Sequence, residues 1–307
     1  MQPVSYSTSW PSFSKSTWLV LTLAACFIAS LSLGVHDFML TRLHIPFPDP
    51  AAVPAWVRYL DVTVRVAALA WFCHLARPLL TRLTSLQAAI LIGLCLVFLV
   101  ETVRVFIVDL YLTEGWKENR WAFTLLQRLS MALVWFFYGT TAAIIARRSR
   151  RSRRNNLGQA IGAILLTAAV GLFALQPLLH SATMHLARVL QLQESAELYT
   201  LPYPLHVYLV IYVTFLEPTV ATFILAALVW PSLTGSSWQR IARFVALVLL
   251  IRGRVITLLL FSFWLPNPLG TAFLSESQFF LETLALSLLV GIVWAKLVRG
   301  VLPSVTT

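Results

Sequence analysis

Eight apolar stretches, each at or above the roughly 20 residues a helix needs to cross a bilayer, decide the solvent in which this chain folds. They run over 17–39, 55–76, 86–112, 121–146, 157–180, 205–230, 240–264 and 277–298. Composition agrees. Hydrophobic residues make up 59% of the chain, charged residues only 11%, and the mean hydropathy is +0.80; a soluble domain carries about 25% charged residues. The expected fold is an all-α integral membrane protein, a bundle of eight transmembrane helices.

Charge placement predicts the orientation. With the N-terminus in the cytoplasm, the inner connectors receive Lys15, Arg77, Arg82, the six arginines of 147–154, Arg240, Arg243, Lys296 and Arg299. The outer connectors receive Arg42, Arg58, Lys117, Arg120 and Arg188. Thirteen basic residues against five satisfies the positive-inside rule, and five intraspan arginines complete the 23. Both termini are expected in the cytoplasm, in a bacterial-type inner (plasma) membrane. The first span could also be read as a signal peptide, but it is long for one and its leading region is extended.

The formal net charge of +11 is explained by this topology, so no nucleic-acid partner is inferred. The run Arg147–Arg154 could hold anionic lipid headgroups or simply anchor the topology. It also divides the chain: a tail over 1–16, a four-helix half over 17–146, a connector over 147–156, a second half over 157–300 and a tail over 301–307. The halves are faintly alike. Tyr59-Leu60-Asp61-Val62-Thr63-Val64 resembles Phe215-Leu216-Glu217-Pro218-Thr219-Val220, displaced by 156 residues, and Arg104-Val105 recurs as Arg254-Val255, displaced by 150. A parallel four-plus-four repeat is therefore expected as one reading, with chance resemblance of Leu-rich spans as the other.

Six acids (Asp37, Asp61, Glu101, Asp109, Glu217, Glu282) and five arginines (Arg65, Arg104, Arg128, Arg252, Arg254) lie within or at the ends of the apolar runs. A charge in hydrocarbon costs about 2.5–3.5 kcal/mol on insertion scales, so such residues are paired, hydrated or functional. Asp61 and Arg65 stand at i,i+4 and Glu101 and Arg104 at i,i+3, so each pair shares a helix face. Arg252 and Arg254 are two apart and, on a continuous helix, point to nearly opposite sides. Glu217 and Glu282 have no basic neighbour within a turn. Pro218 follows Glu217 and removes a backbone donor there. Nearly all the charge falls in the outer half of the spans.

The candidate ion- or substrate-binding residues are Glu217, Arg252, Arg254, Glu282, Glu101, Arg104, Arg128 and Asp61, weighed against their serving as packing pairs. No catalytic residues are assigned. Cys26, Cys73 and Cys95 lie in apolar spans with no CxxC spacing, and His180 and His185 miss the i,i+4 spacing of a helical metal pair, so no metal and no cofactor is inferred. No G-x-S-x-G, HExxH, Walker A or dinucleotide glycine pattern occurs. The segment 181–203 reads as a short interfacial helix ending near Glu194 and Glu197. The function expected is transport of an ion, a proton or a small charged amphiphile. The alternatives are a non-transporting sensor, assembly or immunity-type protein with an unknown protein partner, and a membrane enzyme acting on lipid-linked substrates.

Overall fold

A computed structural model describes residues 14–117, 120–148, 156–194 and 198–301. Among these the chain is entirely helical. The first half contains α1 (Lys15–Thr41), α2 (Ala55–Leu75), the single turn α3 (Arg77–Leu80), α4 (Ser85–Leu99), α5 (Thr102–Leu112) and α6 (Trp121–Arg148). The second contains α7 (Asn156–Val170), α8 (Gln176–Val189), α9 (Leu205–Thr214), α10 (Leu216–Val229), α11 (Ser237–Ile251), α12 (Arg254–Leu260) and α13 (Leu269–Val301). The expected basic connector lies mostly outside the described residues.

Among the described residues, six helical runs are long and apolar enough to cross a membrane: Lys15–Thr41, Ser85–Leu112, Trp121–Arg147, Leu157–Val189, Leu205–Ser232 and Leu269–Leu297. A seventh is a bent pair, Ser237–Ile251 with Arg254–Phe263, the two pieces inclined by 67°. α2 has the length, at 21 residues, but carries Arg58, Asp61 and Arg65 and falls outside that set.

Two expected boundaries move. Of the interfacial helix expected over 181–203, residues 181–189 instead end the run that starts at Leu157, and Glu197 lies outside the described residues. A π-helical turn over Gly171–Leu175 runs directly into α8, with Pro177 in its first turn, so the missing proline N–H is absorbed without a break. The last helix starts at Leu269 rather than 277. Glu282 is therefore about 20 Å along α13 at 1.5 Å per residue, well inside it rather than near its start.

α4 and α11 are built alike. α4 begins in a capping box, Thr84 with Gln87, and α11 begins in one too, Ser236 with Gln239. Each runs for 15 residues and ends where one residue turns left-handed, Glu101 (φ 64°) in the first half and Gly253 (φ 70°) in the second. A shorter helix then continues the span. These landmarks align at a displacement of 152 residues, not the 150 suggested by the Arg-Val pairs, so Arg104 and Arg254 are not equivalent positions.

The packing repeats the same exchange. α4 packs on α6 as α11 does on α13; α10 packs on α4 as α2 does on α11; α5 packs on α6 as α12 does on α13. α1 lies against α13 and α10, and its counterparts α7 and α8 lie against α6 and, for α7, α2. The first helix of each half thus packs on the other half, and the two are interleaved. Lipid offers no hydrophobic drive between spans, so close approach of small residues matters. At the α4–α6 contact Gly93 faces Gly139, where an added Cβ would sit 2.8 Å from the Gly93 Cα.

Candidate functional site

The break at Glu101 releases the first N–H groups of α5 inside the bundle. Those donors normally need a cap. The Glu217 carboxylate, from the start of α10, supplies it by accepting from Val103 N at 3.1 Å and from Arg104 N. A negative charge at a helix N-terminus is also favoured by the helix dipole. Glu217 sits just after a one-residue interruption of the helical run. α9 ends at Thr214, Phe215 is a turn, and Pro218 follows, with Thr219 and Thr222 hydroxyls bonding back to Phe215 O and Pro218 O.

Glu101 itself is buried at 7% exposure and joins two arginines. Its Oε2 accepts from Arg104 Nη1 at 2.6 Å, the i,i+3 pair expected from spacing, and its Oε1 accepts from Arg252 Nη2. Arg252 Nη2 also lies 3.7 Å from Glu282 Oε1, and Glu282 Oε2 lies 4.0 Å from His36 Nδ1. Ion pairs therefore link α5, the end of α11 and α13, with the His36 imidazole of α1 beside Glu282. Removing one partner from a buried pair costs about 3–5 kcal/mol because the other charge is stranded, so these contacts hold the breaks in register. Asp61 and Arg65 form the expected i,i+4 pair at 2.8 Å, and Arg65 also rests on the Gly253 backbone.

Aromatic faces cover three of the guanidiniums: Trp135 at 5.2 Å from Arg65, Phe215 at 5.1 Å from Arg104 and Phe279 at 4.9 Å from Arg254. The helix break overturns the expectation for Arg252 and Arg254. Gly253 resets the helical phase between them, and both line one cavity.

That cavity has a volume of about 530 Å³. Its charged lining consists of Arg65, Arg104, Arg252, Arg254, Glu101, Glu282 and His36, with Asp37 and Asp109 toward the ends of α1 and α5. Leu33, Leu40, Val105, Val108, Leu112 and Ile211 form its apolar walls. A second cavity, of about 500 Å³, is lined by Asp61, Tyr138, Gln176 and neighbours; Arg65, Met131 and Trp135 line both. No known protein family, curated protein or solved structure matches this chain.

Of the expected site residues, Glu101, Arg104, Arg252, Arg254 and Glu282 converge on the larger cavity, and Asp61 reaches the smaller. Glu217 serves the α5 N-terminus. Arg128 is engaged by Asp109 through Nε at 2.9 Å and through Nη2, apart from the central cluster. Residues not singled out as candidates also reach the cavity: Arg65 through Gly253, and His36 through Glu282. Glu276, at 4% exposure, is buried too; the early start of α13 after Pro268 is the signal that would have found it. No group of three or more His, Cys, Asp or Glu placed to hold a metal occurs among the described residues.

Proposed function

We propose that this protein is a transporter of a small charged amphiphile, with the larger cavity between its interleaved halves as the binding site. The observation that carries the reading is the cavity itself: four arginines, two glutamates and a histidine around about 530 Å³, inside helices otherwise apolar enough to span a bilayer. Structural ion pairs alone require no such space. In this reading α2 is the eighth span, with Asp61 and Arg65 turned toward the bundle and Arg58 exposed at its start, donating to Pro50 O and Ala51 O. Both termini are cytoplasmic, and the cavity opens toward the outer ends of α1 and α5. The halves arose by duplication, for which the matched capping boxes and left-handed breaks are the support. A parallel repeat around a central site suits alternating access by rocking of one set of helices against the other.

A second reading is favoured by a specific observation, the saturation of Glu101 by two arginines and of Glu217 by two backbone amides. A network so engaged would serve a sensor or assembly protein by fixing helix register.

Water access separates the two. With Cys26, Cys73 and Cys95 replaced, single cysteines at Val105, Val108 and Ile211 are exposed to a membrane-impermeant thiol reagent from outside. Labelling at these wall positions, together with flux in proteoliposomes that Glu282→Gln abolishes, supports transport. Protection at all three in folded protein sinks it.

A further inference from the structure

The ligand class can be narrowed from the donors that the protein leaves without acceptors. Four arginines line the larger cavity against two buried glutamates and Asp37, which accepts from the Tyr212 hydroxyl at 3.3 Å; Asp109 is already paired with Arg128. Arg65 pairs with Asp61 through Nη2 at 2.8 Å, so its charge is compensated although its Nε has no hydrogen-bond partner among the described residues. Arg104 Nε, Arg252 Nη1 and Arg254 Nε are likewise buried with no hydrogen-bond partner among them. Arg254 differs again, having no carboxylate within ion-pair distance among those residues and resting on the Phe279 ring. Buried guanidinium N–H groups without acceptors are costly, more so than neutral donors, and here they belong to four side chains lining one volume.

We infer that the larger cavity binds a phosphate-type oxyanion carried on an apolar chain, held by Arg254 together with Arg104 and Arg252. Three guanidiniums on one lining suit an anion with several equivalent oxygens, and planar guanidinium forks match phosphate geometry. Toward the ends of α1 and α5 the lining carries the apolar side chains of Leu40, Val108 and Leu112, with Asp37 and Asp109 among them. A ligand charged at one end and apolar along its length would match both parts. Free phosphate shares the headgroup chemistry and would use only the arginines. The inference rests on the cavity assigned above but concerns occupancy alone.

The test uses the full-length protein. Retention of phosphatidic acid from mixed phosphatidylcholine nanodiscs is read by native mass spectrometry, and inorganic phosphate is titrated separately by thermal shift in detergent. Wild type is expected to retain phosphatidic acid over phosphatidylcholine. Arg254→Gln should weaken this by about tenfold or more, the loss expected for one hydrogen bond to a charged group. Lys296→Gln, an exposed cation on the far end of α13, should leave it unchanged. A dependence on Arg254 seen with inorganic phosphate alone upholds the oxyanion site and assigns it to a soluble ligand. If neither anion binds, or if Arg254→Gln binds as wild type does, the inference is wrong. Should that variant fail to fold, Val108→Trp fills the apolar wall without removing an arginine, and unchanged retention in it would equally overturn the lipid-bound form. Anion binding can fail while thiol labelling succeeds, so a wrong headgroup and a closed cavity are told apart.

Discussion

Replacing Gly253 with alanine tests whether the second helix break is held by the same ion pair that borders both cavities. Two costs are expected. A side chain at φ 70° costs about 1–2 kcal/mol for the left-handed conformation. The new Cβ would also lie 2.2–2.3 Å from Arg65 Nε, Nη2 and Cζ, against about 3.5 Å for an ordinary contact. Arg65 must retreat by about 1 Å or more, which takes its 2.8 Å contact with Asp61 out of hydrogen-bond range. Stranding a buried partner costs about 3–5 kcal/mol when the other is deleted. Because Arg65 is displaced rather than removed, about 1–3 kcal/mol of that is expected here. The total is about 2–5 kcal/mol, read from reversible chaotrope unfolding in mixed micelles. In an Arg65→Ala background the same change should cost only the backbone part, about 1–2 kcal/mol. A cost under about 0.5 kcal/mol, the range of an ordinary surface change, refutes the backbone and steric argument. Equal costs in both backgrounds refute the coupling.

Three further outcomes follow from the same contacts. Glu101→Gln removes the charge shared by Arg104 and Arg252 and should lower stability by about 3–5 kcal/mol; Glu217→Gln, which keeps an acceptor for the α5 amides, should cost about 1–2 kcal/mol, and equal losses in unfolding assays would contradict the separate roles. Gly139→Ala should push α4 and α6 apart, lowering the thermal midpoint, whereas Ala at Gly158, which has nothing within 4 Å, should be neutral or stabilising. Outside the spans, Glu114 hydrogen-bonds Lys117 and the Tyr199 hydroxyl at 2.7 Å. Lys117 first, and Tyr199 second, hold its carboxyl below the ordinary 4.5. The contribution of the depressed acid is therefore complete above 4.5 and lost only as pH falls through the lower, folded value; a fluorinated tyrosine at 199, followed by ¹⁹F NMR, should show a transition centred below 4.5 as the pH is lowered, and one centred above 4.5 would contradict the assignment.

Spacing along one chain was enough to read what is local. Length and hydropathy specify a membrane helix because the bilayer leaves the backbone no other hydrogen-bond partner over 20 residues. Asp61 with Arg65, and Glu101 with Arg104, were legible because the pairs stand within one turn, and even the left-handed φ at Glu101 leaves the second intact. The capping boxes at Thr84–Gln87 and Ser236–Gln239 were equally legible in principle, since each joins residues three apart. They support the proposed repeat better than the Arg-Val pairs do.

The tertiary structure alone decided what happens at the breaks. Glu101 offers no sequence signal of a left-handed residue, because glutamate rarely adopts that conformation and does so here under constraint from Arg104, Arg252 and the α5 amides. Extrapolating a continuous helix through Gly253 put Arg252 and Arg254 on opposite sides, and one turned residue brings both to the same cavity. Glu217 looked like an unpaired acid, and it is answered by backbone N–H groups exposed by a break in a different helix. Local sequence can state that a buried charge needs a partner. Which partner it meets depends on how neighbouring helices are kinked and stacked, and that is settled by packing across spans more than a hundred residues apart.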